Sequence, residues 1–319
     1  MDRQRERPGH LCKNAILTAP VSGGVGNAQK NPQFRCRTSV LDLFPNCLCR
    51  GFRRAPVKKK IIVSVRGELD PYGLRFSRWR KWPVLRIYHA LISRRCVFHS
   101  TCDAETEYIR DQFKRPVRVI QIPNYVEIAE LARREPSNYL LYVGRIHRKK
   151  AIDSLIKGLA LSQEFLSSAF VLRIAGTGDE HYVDGLKQLA DDLGLSDKVE
   201  FIGHVEGAVK NKLYADAYWT FMPSHTENFG LVVLESLAQN TPVLASKESP
   251  WKILKDEKIG FWTDNSPETL AQKIDKIIAM PAEEYDRYRQ RGRAFVEENF
   301  EVTRNIERWN DLYTSLAQK

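Results

Sequence analysis

From residue 139 onward the apolar positions fall into two alternating rhythms. Short, mainly apolar runs at 139–143, 171–175, 199–202 and 218–222 read as strands, and 240–245 adds another. Between them, apolar residues recur every three to four positions and predict helices: one closing at Leu161, one over 182–193 and a short one over 213–217. Gly230 opens the next, in which Leu231, Val233, Leu234 and Leu237 face a core, and 267–279, 282–299 and 302–316 follow. Strands and helices in this alternation predict an α/β fold with a doubly wound parallel sheet.

Ahead of this half, strands are expected at 61–65, 96–101 and 117–122, with a helix over 104–113. A basic, aromatic stretch over 74–95 reads as helical apart from Pro83, and its 78–82 portion, RWRKW, has two readings: core tryptophans with solvated neighbours, or a face for anionic lipid headgroups. Residues 1–56 keep neither period, so an irregular or disordered basic segment is expected. The polar run 135–138 separates the halves. The boundaries are therefore 1–56, a partial unit over 57–135, the doubly wound unit over 136–300, and a terminal helix over 301–319.

Composition changes this picture little. The 319 residues are 43% hydrophobic and 28% charged, ordinary for a globular protein. No apolar run approaches the ~20 residues that span a bilayer, and the charged start MDRQRERPGH is followed by no secretory core, so the cytoplasm is the expected place. The six cysteines show no C-x2-C pair, which supports neither zinc nor a disulfide framework. Of the net charge of +11, residues 1–60 carry ten, with thirteen Lys or Arg against three acids. That tail can bind anionic surfaces without specificity; no nucleic-acid reader motif accompanies it, and specific nucleic-acid binding is not expected.

The chemistry gathers in 223–243, PSHTENFGLVVLESLAQNTPV. A strand ends at Pro223, a polar turn carries Glu227, and Glu235 lies about one turn inside the helix that Gly230 opens. Open α/β sheets bind ligands at such strand ends. The free amides around Phe229, Gly230 and Leu231 can hold phosphate at the positive end of the helix dipole, and an ionised carboxylate accepts from two vicinal hydroxyls. A ligand with phosphate at one end and sugar hydroxyls at the other, a nucleotide sugar, fits both. Acidic residues also favour helix starts for dipole reasons alone.

This stretch resembles the E-x7-E signature of retaining glycosyltransferases of family four, which have the GT-B fold of two Rossmann-like domains with a cleft between them. In that family the first Glu contacts the transferred sugar and the second holds the ribose; by position these are Glu227 and Glu235. Gly144-Arg145-x4-Lys150 matches the GR-x4-K signature, whose cations stabilise the leaving pyrophosphate, with Ala151 where Gly is usual. The resemblance further implies donor contacts near Gly176 and a base held by the backbone of Gly203, His204 and Val205. In the first domain it implies a cleft loop at Arg66 and Glu68, which equally read as a surface ion pair, and a glycine-rich loop at Gly23 and Gly24. The terminal helix is expected to cross back to that domain, which looks truncated or irregular. One departure is Asn240 before Thr-Pro-Val, where Gly is usual; a turn with positive φ accepts Asn next best.

The implied activity is transfer of a hexose, with retention, from a nucleotide diphosphate sugar to a glycan or lipid-linked acceptor in cell-surface polysaccharide synthesis at the inner face of the membrane. No metal and no cofactor are expected: no D-x-D pair has a suitable loop, and Gly176 and Gly178 form no dinucleotide fingerprint. The alternative is a remnant that binds nucleotide sugar without turnover.

Overall fold

The computed structural model describes residues 37–40, 61–67, 69–70, 96–113, 116–135 and 137–317. Gly23, Gly24, Glu68 and the 78–82 stretch lie outside the described residues, as do most of 1–56.

The first domain holds a parallel sheet of Arg37–Val40 (β1), Ile61–Ser64 (β2), Cys96–Ser100 (β3) and Arg118–Gln121 (β4), in that spatial order. β1 falls inside the segment read as irregular from sequence, so that expectation is corrected there: RTSV carries no run or period of its own and is a strand because β2 pairs with it. Asp103–Gln112 (α1) packs on this sheet through Ile109, with Phe113 tilted 4.7 Å from Phe98.

The second domain begins with Tyr139–Val143 (β5), Ile152–Leu161 (α2), Gln163–Ser167 (α3), Val171–Ala175 (β6), Glu180–Asp192 (α4) and Val199–Gly203 (β7). It continues with Gly207–Asp216 (α5), Trp219–Met222 (β8), Leu231–Ala238 (α6), Val243–Ser246 (β9), Ile253–Asp256 (α7), Gly260–Thr263 (β10), Pro267–Ile278 (α8) and Ala282–Asn299 (α9). All six strands are parallel, in the order β10-β9-β8-β5-β6-β7. Every residue of β8 (WTFM) and β9 (VLAS) is buried, which is why their sequences do not alternate, and Thr220 and Ser246 are hydrogen-bonded to Ser236 Oγ and Ser224 O.

Local signals explain most boundaries. Ser266 caps α8 by accepting from Thr269 N, with Pro267 just inside, and Leu270, Ile274 and Ile277 face the core. Asp179 caps α4 through Tyr182 N, so the helix begins at Glu180, two residues ahead of the expected start. The end of α6 closes with Thr241 N donating to Ser236 O and Asn240 N to Leu237 O, both at 3.0 Å, and Asn240 at φ 59. The strand after it therefore starts at Val243 and not at 240, because 240–242 belong to this helix end.

Val302–Ala317 (α10) packs on the first domain. Its Leu312 and Leu316 are buried against Ile62, Val97 and Ile122, and Trp309 lies 4.7 Å from the His99 ring. Burying two leucines contributes about 3–6 kcal/mol. Where the chain passes between domains, Val126 forms a parallel bridge to Glu301, and Val126 N donates to Phe300 O at 3.0 Å.

Candidate functional site

In the second sheet the connections run one way from β5 through β6 to β7 and the other way from β8 through β9 to β10, so the order reverses between β5 and β8. Loops leaving neighbouring strands at such a reversal diverge and open a crevice. These two strands are followed by the two loops that carry Arg145–Lys150 and Glu227.

The loop after β5 is fixed by backbone. Gly144 N donates to Ala175 O at 2.9 Å, Ile146 N to Thr177 O at 2.8 Å, and Gly176 N to Gly203 O at 2.7 Å, tying the ends of β5, β6 and β7 together. Gly144 and Gly176 have φ of 150 and 145, and a Cβ on Gly176 would collide with the Gly144 carbonyl. Only glycine fits this approach. Tyr142 Oη donates to Arg145 O at 2.9 Å, and burial, then Glu227, pushes the Tyr142 pKa far up, so it stays a donor. The Arg145 side chain is exposed. A single 3-10 turn, Arg148–Lys150, then leads through Ala151, buried at φ 50, into α2.

The loop after β8 is held from several sides. Asn265 Nδ2 donates to Pro223 O at 2.9 Å, Ser246 Oγ to Ser224 O at 2.6 Å, His225 N to Lys149 O at 2.8 Å, and Glu227 N to Glu248 O at 3.0 Å. Lys150 Nζ meets Glu227 Oε2 in a close charge-assisted hydrogen bond, joined by Ser224 Oγ at 3.3 Å. The cation and carboxylate singled out from two distant motifs thus share one point over the crevice. Gly230, at φ 80, opens α6 with no side chain capping its amides. A Cβ there would lie 2.5 Å from Met222 Sδ and 3.2 Å from Glu227 Cγ.

Glu235 has different partners. Lys210 Nζ lies 2.8 Å from its Oε1 and Tyr214 Oη donates to its Oε2 at 3.1 Å. Tyr214 is fully buried, and burial followed by Glu235 raises its pKa well above the usual phenol value. Beside Lys210 and Glu235 opens a cavity of about 280 Å³, walled also by Glu127, Asn211 and Gln239.

The structure therefore brings Lys150 onto Glu227 and places Gly230 against both Met222 and Glu227, while Glu235 lies with Lys210 and not with Lys150. The Phe229 ring is buried among Trp251 and Phe300 and its carbonyl accepts from Trp251 Nε1, so its amide is the part left for a ligand. His204 is exposed beside Glu206, Val205 is half-buried, and Gly203 engages Gly176 through its carbonyl. Leu231 is exposed at the first position of α6. Arg66, exposed at φ 47, precedes Gly67 on the first-domain loop that faces Asn228. Sequence reasoning missed Lys210 and Tyr214; their spacing of four on one helix, opposite a helix with a lone acid, was the available signal. Among the described residues no three His, Cys, Asp or Glu side chains gather as they would around a metal ion, and no helix is long and apolar enough to cross a membrane.

Fold and site together define a two-domain α/β protein whose cleft sets ammonium groups and carboxylates over the switch point of a doubly wound sheet. Residues 126–295, more than half of the chain, match the family model of glycosyl transferases group 1, and the chain belongs to that family. It is 36% identical over 142 residues to an uncharacterised glycosyltransferase of Methanocaldococcus jannaschii, a match covering 44% of this chain and 35% of the relative. It is 36% identical over 116 residues to an O-antigen chain mannosyltransferase of Salmonella typhimurium, covering 36% of this chain and 31% of the relative. These matches span about a third of each relative's own length. Anabaena HepE, solved with UDP and glucose, superposes with a TM-score of 0.70 at 20% identity, covering 80% of this chain and 72% of that one. The fold is GT-B, as the sequence resemblance implied.

Proposed function

We propose that this chain moves a hexose, with retention at the anomeric carbon, from a nucleotide diphosphate sugar to a glycan or lipid-linked acceptor in cell-surface polysaccharide synthesis. The observation that carries this is the contact of Lys150 with Glu227 across the switch point, beside the uncapped start of α6. The names of two relatives support the substrate class: one is an O-antigen chain mannosyltransferase, and the other holds UDP and glucose.

In this reading the diphosphate lies between Arg145, Lys150 and the amides from Phe229 to Leu231. Once it takes the Lys150 ammonium, Glu227 is released to accept from the sugar's hydroxyls and orient the ring. Glu235 exchanges its contact with Lys210 for the ribose hydroxyls, and the backbone from Gly203 to Val205 receives the base. The bond from the anomeric carbon to the phosphate oxygen breaks with its electron pair on phosphate. A β-phosphate oxygen takes the acceptor's hydroxyl proton, and the new carbon–oxygen bond forms on the same face. Arg145 and Lys150 stabilise charge growing on the leaving group, which is where fixed cations lower a barrier most. With two cations supplying this stabilisation, the reaction needs no resident metal or cofactor. Arg66 faces the acceptor side. The acceptor places the reaction in the cytoplasm, at the inner face of the membrane.

A donor screen that measures nucleotide release tests the reading, with Lys150→Ala and Glu235→Ala as comparisons. Each variant is expected to lose turnover by more than about tenfold, at least about 1.4 kcal/mol of barrier. Full activity in both would remove the site assignment. Calorimetric binding of a donor without product would show the non-catalytic remnant instead.

A further inference from the structure

The Glu227 loop is docked on the first domain through the residues on either side of that carboxylate. Thr226 Oγ1 donates to Asp70 Oδ2 at 2.9 Å. Asn228 Nδ2 donates to Thr101 Oγ1 at 3.1 Å, and Cys102 Sγ donates to Asn228 O at 3.3 Å. The backbone of Gly67 approaches so closely that a Cβ there would sit 3.1 Å from Asn228 Cβ. The partners of Asn228 thus come from two first-domain loops, those after β2 and β3.

One side chain joins these two loops. Glu105, in the first turn of α1, is only 1% exposed. Its Oε1 accepts from Gly67 N at 2.7 Å, and its Oε2 accepts from Thr101 N at 2.7 Å and Thr101 Oγ1 at 2.9 Å. A buried carboxylate is tolerated only when donors replace its lost water, and here three do. The helix does not require this arrangement for its own cap, since one of the donors comes from a loop 38 residues away.

We propose that Glu105 is a positioning residue: by fixing Gly67 and Thr101 as one surface, it sets the seat of Asn228 and hence the direction of the neighbouring Glu227. This rests on the reading of Glu227 as the sugar-orienting group. Glutamine at 105 keeps the size but turns one acceptor into an NH2 facing an N–H, so one loop must let go. Alanine at 228 removes the side-chain bond to Thr101, keeps the bonds of Cys102 and Thr226, and leaves the Glu105 cluster intact.

Hydrogen exchange at amides 226–231 and donor kinetics are measured for Glu105→Gln, Asn228→Ala and the double variant. Both single variants are expected to speed exchange at 226–231. Each is expected to lower kcat about tenfold while donor KM stays within about twofold, the pattern of a misaligned rather than unbound substrate. The double variant is expected to be no worse than the poorer single one, since both act through one contact. If Glu105→Gln fails to fold, Glu105→Asp, which keeps the charge but shortens the reach to Gly67 N, takes its place in the cycle. Unchanged exchange in Asn228→Ala, or losses that simply add, would overturn the proposal. If the wild-type chain turns over no donor, the functional reading falls while exchange still decides whether Glu105 and Asn228 hold the loop.

Discussion

Alanine at Gly176 probes how firmly the phosphate-facing loop is set. The added Cβ would lie 2.9 Å from the Gly144 carbonyl carbon and far closer to its oxygen, inside the 3.0 Å that real Cβ atoms respect. The obstacle is backbone, so no rotamer change relieves it, and Gly144 must move with Arg145 attached. Overpacking of this kind costs about 1–3 kcal/mol, and φ of 145 adds about 1–3 kcal/mol for a residue with a side chain. A total of at least about 2 kcal/mol corresponds to a fall in Tm of about 4 °C or more in a domain of this size. The matching control is Gly185→Ala, inside α4 with open space around its Cβ position, where helix propensity predicts a gain of about 0.8–1 kcal/mol. Thermal unfolding and nucleotide release would be measured on both. Gly176→Ala melting within a degree of the wild type with full turnover would refute the reasoning, because the β5 and β6 loops would then be free to separate.

Other outcomes follow from the same geometry. Tyr214→Phe leaves Glu235 with Lys210 alone, and donor affinity by calorimetry should weaken severalfold, with stability down by about 1 kcal/mol for the lost buried hydrogen bond. His99 is buried, bonded to Ser64 Oγ and Ile122 O at 2.9 Å each, and burial lowers its pKa from 6.5, ahead of the opposing bond to Ile122. Below 6.5 the unfolded chain therefore binds more protons than the folded one, and stability should decline as pH falls from there toward the lowered value. Urea midpoints between pH 7.5 and 5 should show that decline, and His99→Asn should flatten it. Addition of a chelator is expected to leave nucleotide release unchanged; loss of activity restored by a divalent ion would contradict the assignment of charge stabilisation to Arg145 and Lys150.

Much of this architecture could be read from residue order. The mainly apolar runs at 139–143, 171–175 and 218–222 became β5, β6 and β8, and the helix expected from Pro267 starts there, behind a Ser266 cap. Other elements left no local trace. The four residues of β1 are a strand only through pairing, α3 and α7 are too short to show a period, and α5 extends to Gly207 without an apolar stripe ahead of Leu213. The meeting of Lys150 with Glu227 was suggested by two motifs taken together, whereas the pairing of Glu235 with Lys210 depends on how α5 and α6 lie side by side, which neither sequence states. The seat of Asn228 depends on loops from the other domain and was invisible for the same reason.

The paired strands of chain at Val126 and Glu301 have a mechanical consequence. Two separate tethers between bodies would resist rotation in every direction, but two tethers fastened along one line behave as the pin of a door. Swinging about that pin would change the gap most at the rim farthest from it, and would leave the interior of each half untouched.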